Sequence, residues 1–381
     1  MRVAFVLTQD RGGPVDLTVA LARELAGRPD GPAVMIAGPE PVTSAGDVAG
    51  LLRPVRVHSK TDVQGGWDLG RVLRRWTPDV VHAQDRRAAL AVATVARAGA
   101  SVAATYHGVP DGAAGLWVEE GPLAGHRPTP RAAAVLVADA LVARRVAAIV
   151  APSAAMARFL RRRLRVPAAR VRVIPNGVTL PPPRPPVGRA RTFVSVGTFA
   201  PAKSVATLLD AFAAVARTRP QLRLVLVGDG DERPACERRA AALGVGGRVE
   251  FTGYCTDVPA QLARADAFVL PSTNENLPLA LIEGMGAGLA CVASRVGAVP
   301  ELLADGTGLL VPPADVAALA AAMASLAEDP GLAPRLGRAA AEAAARFSAA
   351  ACADAHQALW HGLRWGAVTG RGGRWRRYAR R

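Results

Sequence analysis

Short apolar, β-branched runs alternate with longer Ala/Leu/Arg segments of helical period along this 381-residue chain, and one proline tract, Pro181-Pro182-Pro183-Arg184-Pro185-Pro186, interrupts them. A strand followed by a helix of ten or more residues cannot close a hairpin. Repeated, it builds parallel sheets covered by helices. The first half reads as strands over 3–7, 33–37, 80–82, 102–106, 148–151 and 171–174, with helices near 15–26, 66–76, 88–98, 131–145 and 154–164. Proline fixes φ and lacks an amide donor, so the tract is a stiff connector and the clearest boundary. The pattern then restarts, with strands over 192–196, 222–227, 249–252, 267–270, 291–293 and 309–311. The expected fold class is α/β: two doubly wound, Rossmann-like parallel-sheet domains (1–186 and 187–350) facing a central cleft, followed by a C-terminal helix and tail over 351–381. Open parallel sheets bind ligands in such crevices. Periplasmic binders, dehydrogenases and sugar-nucleotide epimerases share this layout, so fold alone leaves function open.

The chain length suits two domains. The formal net charge of +16 favours acidic partners (nucleotide phosphates, anionic lipid, nucleic acid) without choosing among them. Cys236, Cys255, Cys291 and Cys352 lack metal-site spacing and read as reduced core residues of a cytoplasmic protein. The N-terminus reads as a first strand rather than a signal peptide. No membrane span is expected, since the apolar tract 132–151 is broken by Asp139, Arg144 and Arg145.

Chemistry concentrates at 272–288. A buried strand, 267–270, stops at Pro271. Glu275 and Glu283 then stand eight positions apart, with Pro278 between them as a first helical residue. Glu275 would lie in the loop before the helix and Glu283 inside it. The amides of Asn276, Leu277 and their neighbours would carry the positive end of the helix dipole, a seat for phosphate. The bland alternative is a strand–loop–helix unit whose glutamates are merely solvated. Lys203 follows a strand and the Gly197 turn, and enters a helix over 204–217; from there it can neutralise a diphosphate. The Gly12-Gly13 turn lets backbone approach a ligand. His107, at the tip of a strand and followed by Gly108, faces the cleft, whereas His82 at another strand end reads as a wall residue. Asp229-Gly230-Asp231 resembles a metal-binding carboxylate pair, but Lys203 and helix amides can carry the diphosphate charge instead.

These elements resemble the Glu-x7-Glu signature of the retaining glycosyltransferases of family 4, whose fold is of GT-B type. The resemblance is dense in the second half and thin in the first. It extends over Val173-Ile174-Pro175-Asn176-Gly177, Leu226-Val227-Gly228-Asp229-Gly230, Val249–Gly253 and Asp305–Asp315. It implies that Glu275 and His107 lie beside the donor sugar and that Glu283 holds the ribose hydroxyls. It further implies that Gly12 and Gly13 approach the donor or its leaving phosphate, and that Tyr254 borders the base. The family pattern Gly-Arg-x4-Lys-Gly is matched at Lys203, but Thr198 replaces the arginine and Ser204 the second glycine. Lysine cannot reproduce a bidentate arginine clamp. The implied activity is retaining, metal-independent sugar transfer from a nucleotide-diphosphate sugar, with no other cofactor, to a small-molecule, lipid or glycan acceptor on the first domain. The segment 109–130 is the candidate acceptor loop, and the helix over 350–365 is expected to cross back onto the first domain. The basic tail 371–381 is a candidate peripheral contact with anionic lipid at the inner membrane face, and no nucleic-acid partner is expected. The alternative, motivated by Thr198, is a catalytically impaired sugar-nucleotide-binding or partner subunit.

Overall fold

In the computed structural model, which describes residues 1–42, 46–59, 62–95, 100–110, 112–117, 122–185 and 188–369, the two halves form two separate parallel sheets. The first half runs β1 (Arg2–Val6), α1 (Gly13–Ala26), β2 (Ala33–Gly38), β3 (Leu52–Pro54), α2 (Val63–Trp76), β4 (Val80–Ala83), α3 (Arg86–Val95) and β5 (Ser101–Thr105). It continues through α4 (Pro130–Ala143), β6 (Ala148–Ala151), α5 (Ala154–Arg162) and β7 (Val171–Val173). Its strand order is β3-β2-β1-β4-β5-β6-β7. The second half begins with β8 (Thr192–Val196), α6 (Val205–Ala216), β9 (Arg223–Val227), α7 (Arg233–Ala242), β10 (Val249–Gly253) and α8 (Val258–Ala263). Then follow β11 (Ala267–Leu270), α9 (Leu279–Gly286), β12 (Ala290–Ser294), α10 (Val299–Leu302), β13 (Leu309–Val311), α11 (Val316–Glu328), α12 (Leu332–Ala344) and α13 (Ala349–Thr369). Its order is β10-β9-β8-β11-β12-β13. Both orders reverse beside their first strand, which opens a crevice at the carboxyl ends of the strands.

Strands buried on both faces need continuous apolar runs. Val3, Ala4, Phe5 and Val6 are all buried, as are all four residues of β11. β3 is a strand the sequence reading did not anticipate. It has three residues, one of them buried, and it ends at Pro54 on the sheet edge, where a missing amide breaks no ladder. Pro186, the end of the helix read over 88–98, residues 111 and 118–121 of the candidate acceptor loop, and the tail 371–381 lie outside the described residues.

Two features fix the halves against each other. A buried apolar cluster runs through the junction, joining Trp117, Met156 and Phe159 of the first half to Leu277, Leu281 and Val299 of the second. The last helix, α13, packs on α1 and seats Trp360, fully buried, against Phe5 and His82. Gly177 makes this return possible, because a Cβ there would sit 2.4 Å from Cβ of Cys352. Trp360 Nε1 donates to His82 Nδ1 at 3.2 Å, so the neutral His82 ring donates from Nε2 to Thr105 Oγ1 at 2.9 Å. His82 is therefore a core residue and not the cleft wall expected from its strand-end position. Burial first, then the neighbouring His356 and His107, holds its pKa well below the ordinary histidine value. Among the described residues no single helix is long and apolar enough to cross a membrane.

Candidate active site

The crevice between the sheets is a cavity of about 990 Å³, lined by Gly13, His107, Thr198, Lys203, Tyr254, Glu275, Asn276, Leu277 and Glu283. Elements from both halves thus bring nearly all the expected site residues together. Gly12 lies at its edge, capping α1 at φ +96, a backbone conformation that glycine adopts without steric cost.

Lys203 and Glu275 meet at the centre. The Lys203 ammonium lies 2.5 Å from Glu275 Oε1, which also accepts from Ser272 Oγ at 2.8 Å. Lys203 does not enter the helix directly, as the sequence suggested. It closes a 3-10 turn over Pro201–Lys203, and Ser204 then turns left-handed at φ 49 before α6 begins at Val205. This is the position where the pattern this sequence resembles has glycine, and serine adopts the left-handed conformation there at a cost of roughly 1–2 kcal/mol. Thr198 is exposed on the same wall. Among the described lining residues the other basic side chain is Arg23 of α1.

The loop carrying Glu275 is held by Asn276, which the sequence reading named, and by residues it missed. Trp117 Nε1 donates to the Glu275 carbonyl at 3.0 Å. Gly297 passes so close to that carbonyl that a Cβ would lie 1.7 Å from its oxygen. Asn276 donates through Nδ2 to the His107 carbonyl at 2.7 Å and accepts from Ser153 Oγ at 3.1 Å, tying the loop to the first domain. Asn176 Nδ2 donates to the Leu277 carbonyl at 3.2 Å, and the Glu301 carboxylate accepts the Ala154 and Ala155 amides at the start of α5. Asn176 lay inside a recognised motif. Trp117 and Glu301 carry no local signal, because their partners come from the other half of the chain, and Ser153 reads locally only as the N-cap of α5.

Pro278 is the cap of α9 and not its first residue; the helix starts at Leu279, and no side chain caps it. Leu279 and Ala280 line the cavity, so the uncapped first turn opens into it. Glu283 lies one turn deeper. Burial, reinforced by the charge of Asp16 on α1, raises its pKa to about 7. His107 donates weakly from Nε2 to Gln84 Oε1 at 3.4 Å. Burial and then His356 lower its pKa to about 4, which keeps the ring neutral near pH 7. Asp229 is engaged by the Gly230 amide and by Arg233, and among the described residues no three His, Cys, Asp or Glu groups converge as a metal cluster. Cys236, Cys291 and Cys352 are buried, as read from the sequence, but Cys255 is half-buried and lines the cavity beside Tyr254.

The chain is similar in sequence and fold to known proteins. Residues 11–180 match the family model described as Glycosyltransferase Family 4, and residues 190–329 match Glycosyl transferases group 1. The lipopolysaccharide core biosynthesis glycosyltransferase LpsD of Rhizobium meliloti is 37% identical over 188 residues, 47% of this chain and 54% of that protein. The glycogen synthase of Mycobacterium tuberculosis is 32% identical over 276 residues, 70% of this chain and 64% of that one. The chain thus spans between about half and two thirds of these curated relatives. Among solved structures, Anabaena HepE in complex with UDP and glucose superposes with a TM-score of 0.78 at 18% identity, covering 95% of this chain and all of that one. The sucrose-phosphate synthase of Thermosynechococcus elongatus gives 0.78 at 22% identity, covering 95% and 98%. Two sheets of this topology, facing one cleft and matched by family models on either side of the proline linker, mean that the chain belongs to the family 4 glycosyltransferases of the GT-B fold.

Proposed function

We propose that this chain moves a sugar from a nucleotide-diphosphate sugar to an acceptor hydroxyl, with retention of configuration and without a divalent ion. One observation carries the reading: an ammonium, an uncapped helix start and two carboxylates at different depths meet in a single interdomain cleft. Family membership supports the reaction class. The neighbour HepE, solved with UDP-glucose, supports a uridine nucleotide as the first donor to test.

In this reading the donor diphosphate lies over the first turn of α9 and the Gly12-Gly13 turn. Lys203 divides its charge between Glu275 and a phosphate oxygen. These fixed positive groups meet charge that develops as the bond from C1 to the phosphate oxygen lengthens. The acceptor oxygen enters on the face the phosphate leaves. Its bond to C1 forms as the C1–phosphate bond breaks, and its proton passes to the departing phosphate oxygen. No enzymic base is required. Glu275 and neutral His107 orient the sugar, Glu283 takes the ribose hydroxyls, and Tyr254 borders the base. The acceptor rests mainly on the first domain, beside residues 109–130.

Thr198 favours a second reading, a subunit that binds the donor without turning it over, because the bidentate clamp is missing there. The two separate on one experiment. The chain is incubated with a panel of uridine, guanosine and adenosine diphosphate sugars, with and without EDTA, and nucleotide release is measured against Glu275→Ala. Release that survives EDTA and is lost in the variant supports transfer. Donor binding without release across the panel supports the second reading.

A further inference from the structure

The outer face of the first domain bears a surface that the sugar-transfer reading does not use. α2 packs on α3 and α3 on α4, and the right-handed crossovers of the order β4-β5-β6-β7 set α5 next in the same row. On α2, Val63, Trp67, Arg71 and Arg74 recur at helical spacing along one exposed stripe. On α4 the corresponding stripe is Val137, Leu141 and Arg144-Arg145. On α5 it is Arg158 with Arg161 and Arg162. Val63, Trp67, Val137 and Leu141 are between 55% and 70% exposed, and these four are half of the large apolar side chains exposed among the described residues.

Charge on this face is predominantly positive. Each described acidic group of residues 62–173 has a partner within the chain, Asp68 on the α2 stripe itself. Asp62 caps α2, Asp68 pairs with Arg71, Asp79 accepts the Arg2 amide, Asp85 binds Thr8 and the Ala88 amide, and Asp139 accepts from the Tyr106 hydroxyl. Over residues 1–186 the sequence holds 25 Lys and Arg against 14 Asp and Glu, a net of +11 out of the whole chain's +16.

We infer that this face docks on an anionic lipid bilayer, with Trp67, Val137 and Leu141 entering the headgroup boundary and the arginines of α2, α4 and α5 on the phosphates. Basic charge alone would suit any polyanion. Bulky apolar tips standing among arginines suit an interface that offers both negative headgroups and hydrocarbon. A nucleic acid offers no hydrocarbon to those tips.

The test uses the full chain and vesicles of phosphatidylcholine with or without about a third phosphatidylglycerol, read by co-sedimentation and by quenching of tryptophan with brominated lipid. A companion chain has the six arginines of the tail 371–381 changed to glutamine. Binding that needs the anionic lipid, persists in the tail variant and falls roughly tenfold or more in Arg74→Glu/Arg75→Glu is expected. Trp67→Phe is expected to remove most of the brominated-lipid quenching. Trp67, Arg74 and Arg75 are exposed, and unchanged thermal unfolding checks that the variants fold. Binding carried by the tail alone, quenching unaffected by Trp67→Phe, or equal binding to a nucleic acid of matched charge would overturn the inference.

Discussion

The Lys203 ammonium lies 2.5 Å from Oε1 of Glu275, and it is the more exposed partner, 31% against 9%. In a cleft without donor each group neutralises the other; a diphosphate entering the cleft competes for the same cation. Lys203→Ala is therefore expected to weaken donor binding by about 100-fold, the scale of one strong charge-assisted contact. Glu275→Gln keeps the shape while removing the charge. It should leave the donor Kd within a few fold and lower kcat by about 100-fold or more. Calorimetric titration and initial rates check both. A weaker donor Kd with kcat unchanged for Glu275→Gln would show that this carboxylate serves binding alone.

Thr198 is exposed on the cleft wall, in the same β8–α6 connection as Lys203, at the position where the pattern this sequence resembles has arginine. A guanidinium presents parallel donors to a phosphate, which a hydroxyl does not. Thr198→Arg is expected to tighten donor binding about tenfold and to leave the melting temperature unchanged. The measurement is a donor titration of both proteins in the same salt. Unchanged affinity would mean that another group, such as Arg23, which also lines the cavity, already fills the role.

Ser204 holds φ 49 and ψ 42 at the start of α6, a conformation that costs a residue with a Cβ about 1–2 kcal/mol. Its hydroxyl recovers part of this through a 2.8 Å hydrogen bond with Thr207 Oγ1. Glycine removes the steric cost but gives the unfolded chain more freedom. The balance predicts that Ser204→Gly raises stability by about 0.5 kcal/mol, read from urea unfolding. A loss of stability would mean that the serine hydroxyl contributes more than the backbone strain costs.

Strands of a covered parallel sheet were legible from their apolar runs: β11 is apolar and buried throughout, and β8 and β13 also have the bounds read from the sequence. β3 was not, since an edge strand of three residues closing at proline carries almost no periodic signal. Lys203, Glu275 and His107 were legible as cleft residues because strand ends in such sheets open on the crevice. His82 shows the limit of that rule. It stands at the same kind of position, yet α13 covers it with Trp360, 278 residues later in the chain. Trp117, Ser153 and Glu301 were hidden for the same reason, as each acts across the domain junction.

Glu283 supplies a pH signature. Its pKa stands at about 7 against an ordinary 4.5, raised by burial and then by Asp16. In its proposed role it accepts hydrogen bonds from ribose hydroxyls, and an ionised carboxylate accepts them best. Donor binding then favours the ionised form, so affinity should rise about tenfold from pH 6 to pH 8 and level off above the pKa. UDP-glucose is the ligand to use, because the free phosphate of UDP titrates near pH 6 and would obscure the effect. Stability runs the other way. The native state holds this proton more tightly than the unfolded chain does, so the contribution of Glu283 is greatest below about 4.5 and is lost as pH rises through about 7. Glu283→Gln should abolish the pH slope of donor affinity while making the protein more stable at pH 8. A wild-type donor Kd that is flat between pH 6 and 8 would remove Glu283 from the ribose site.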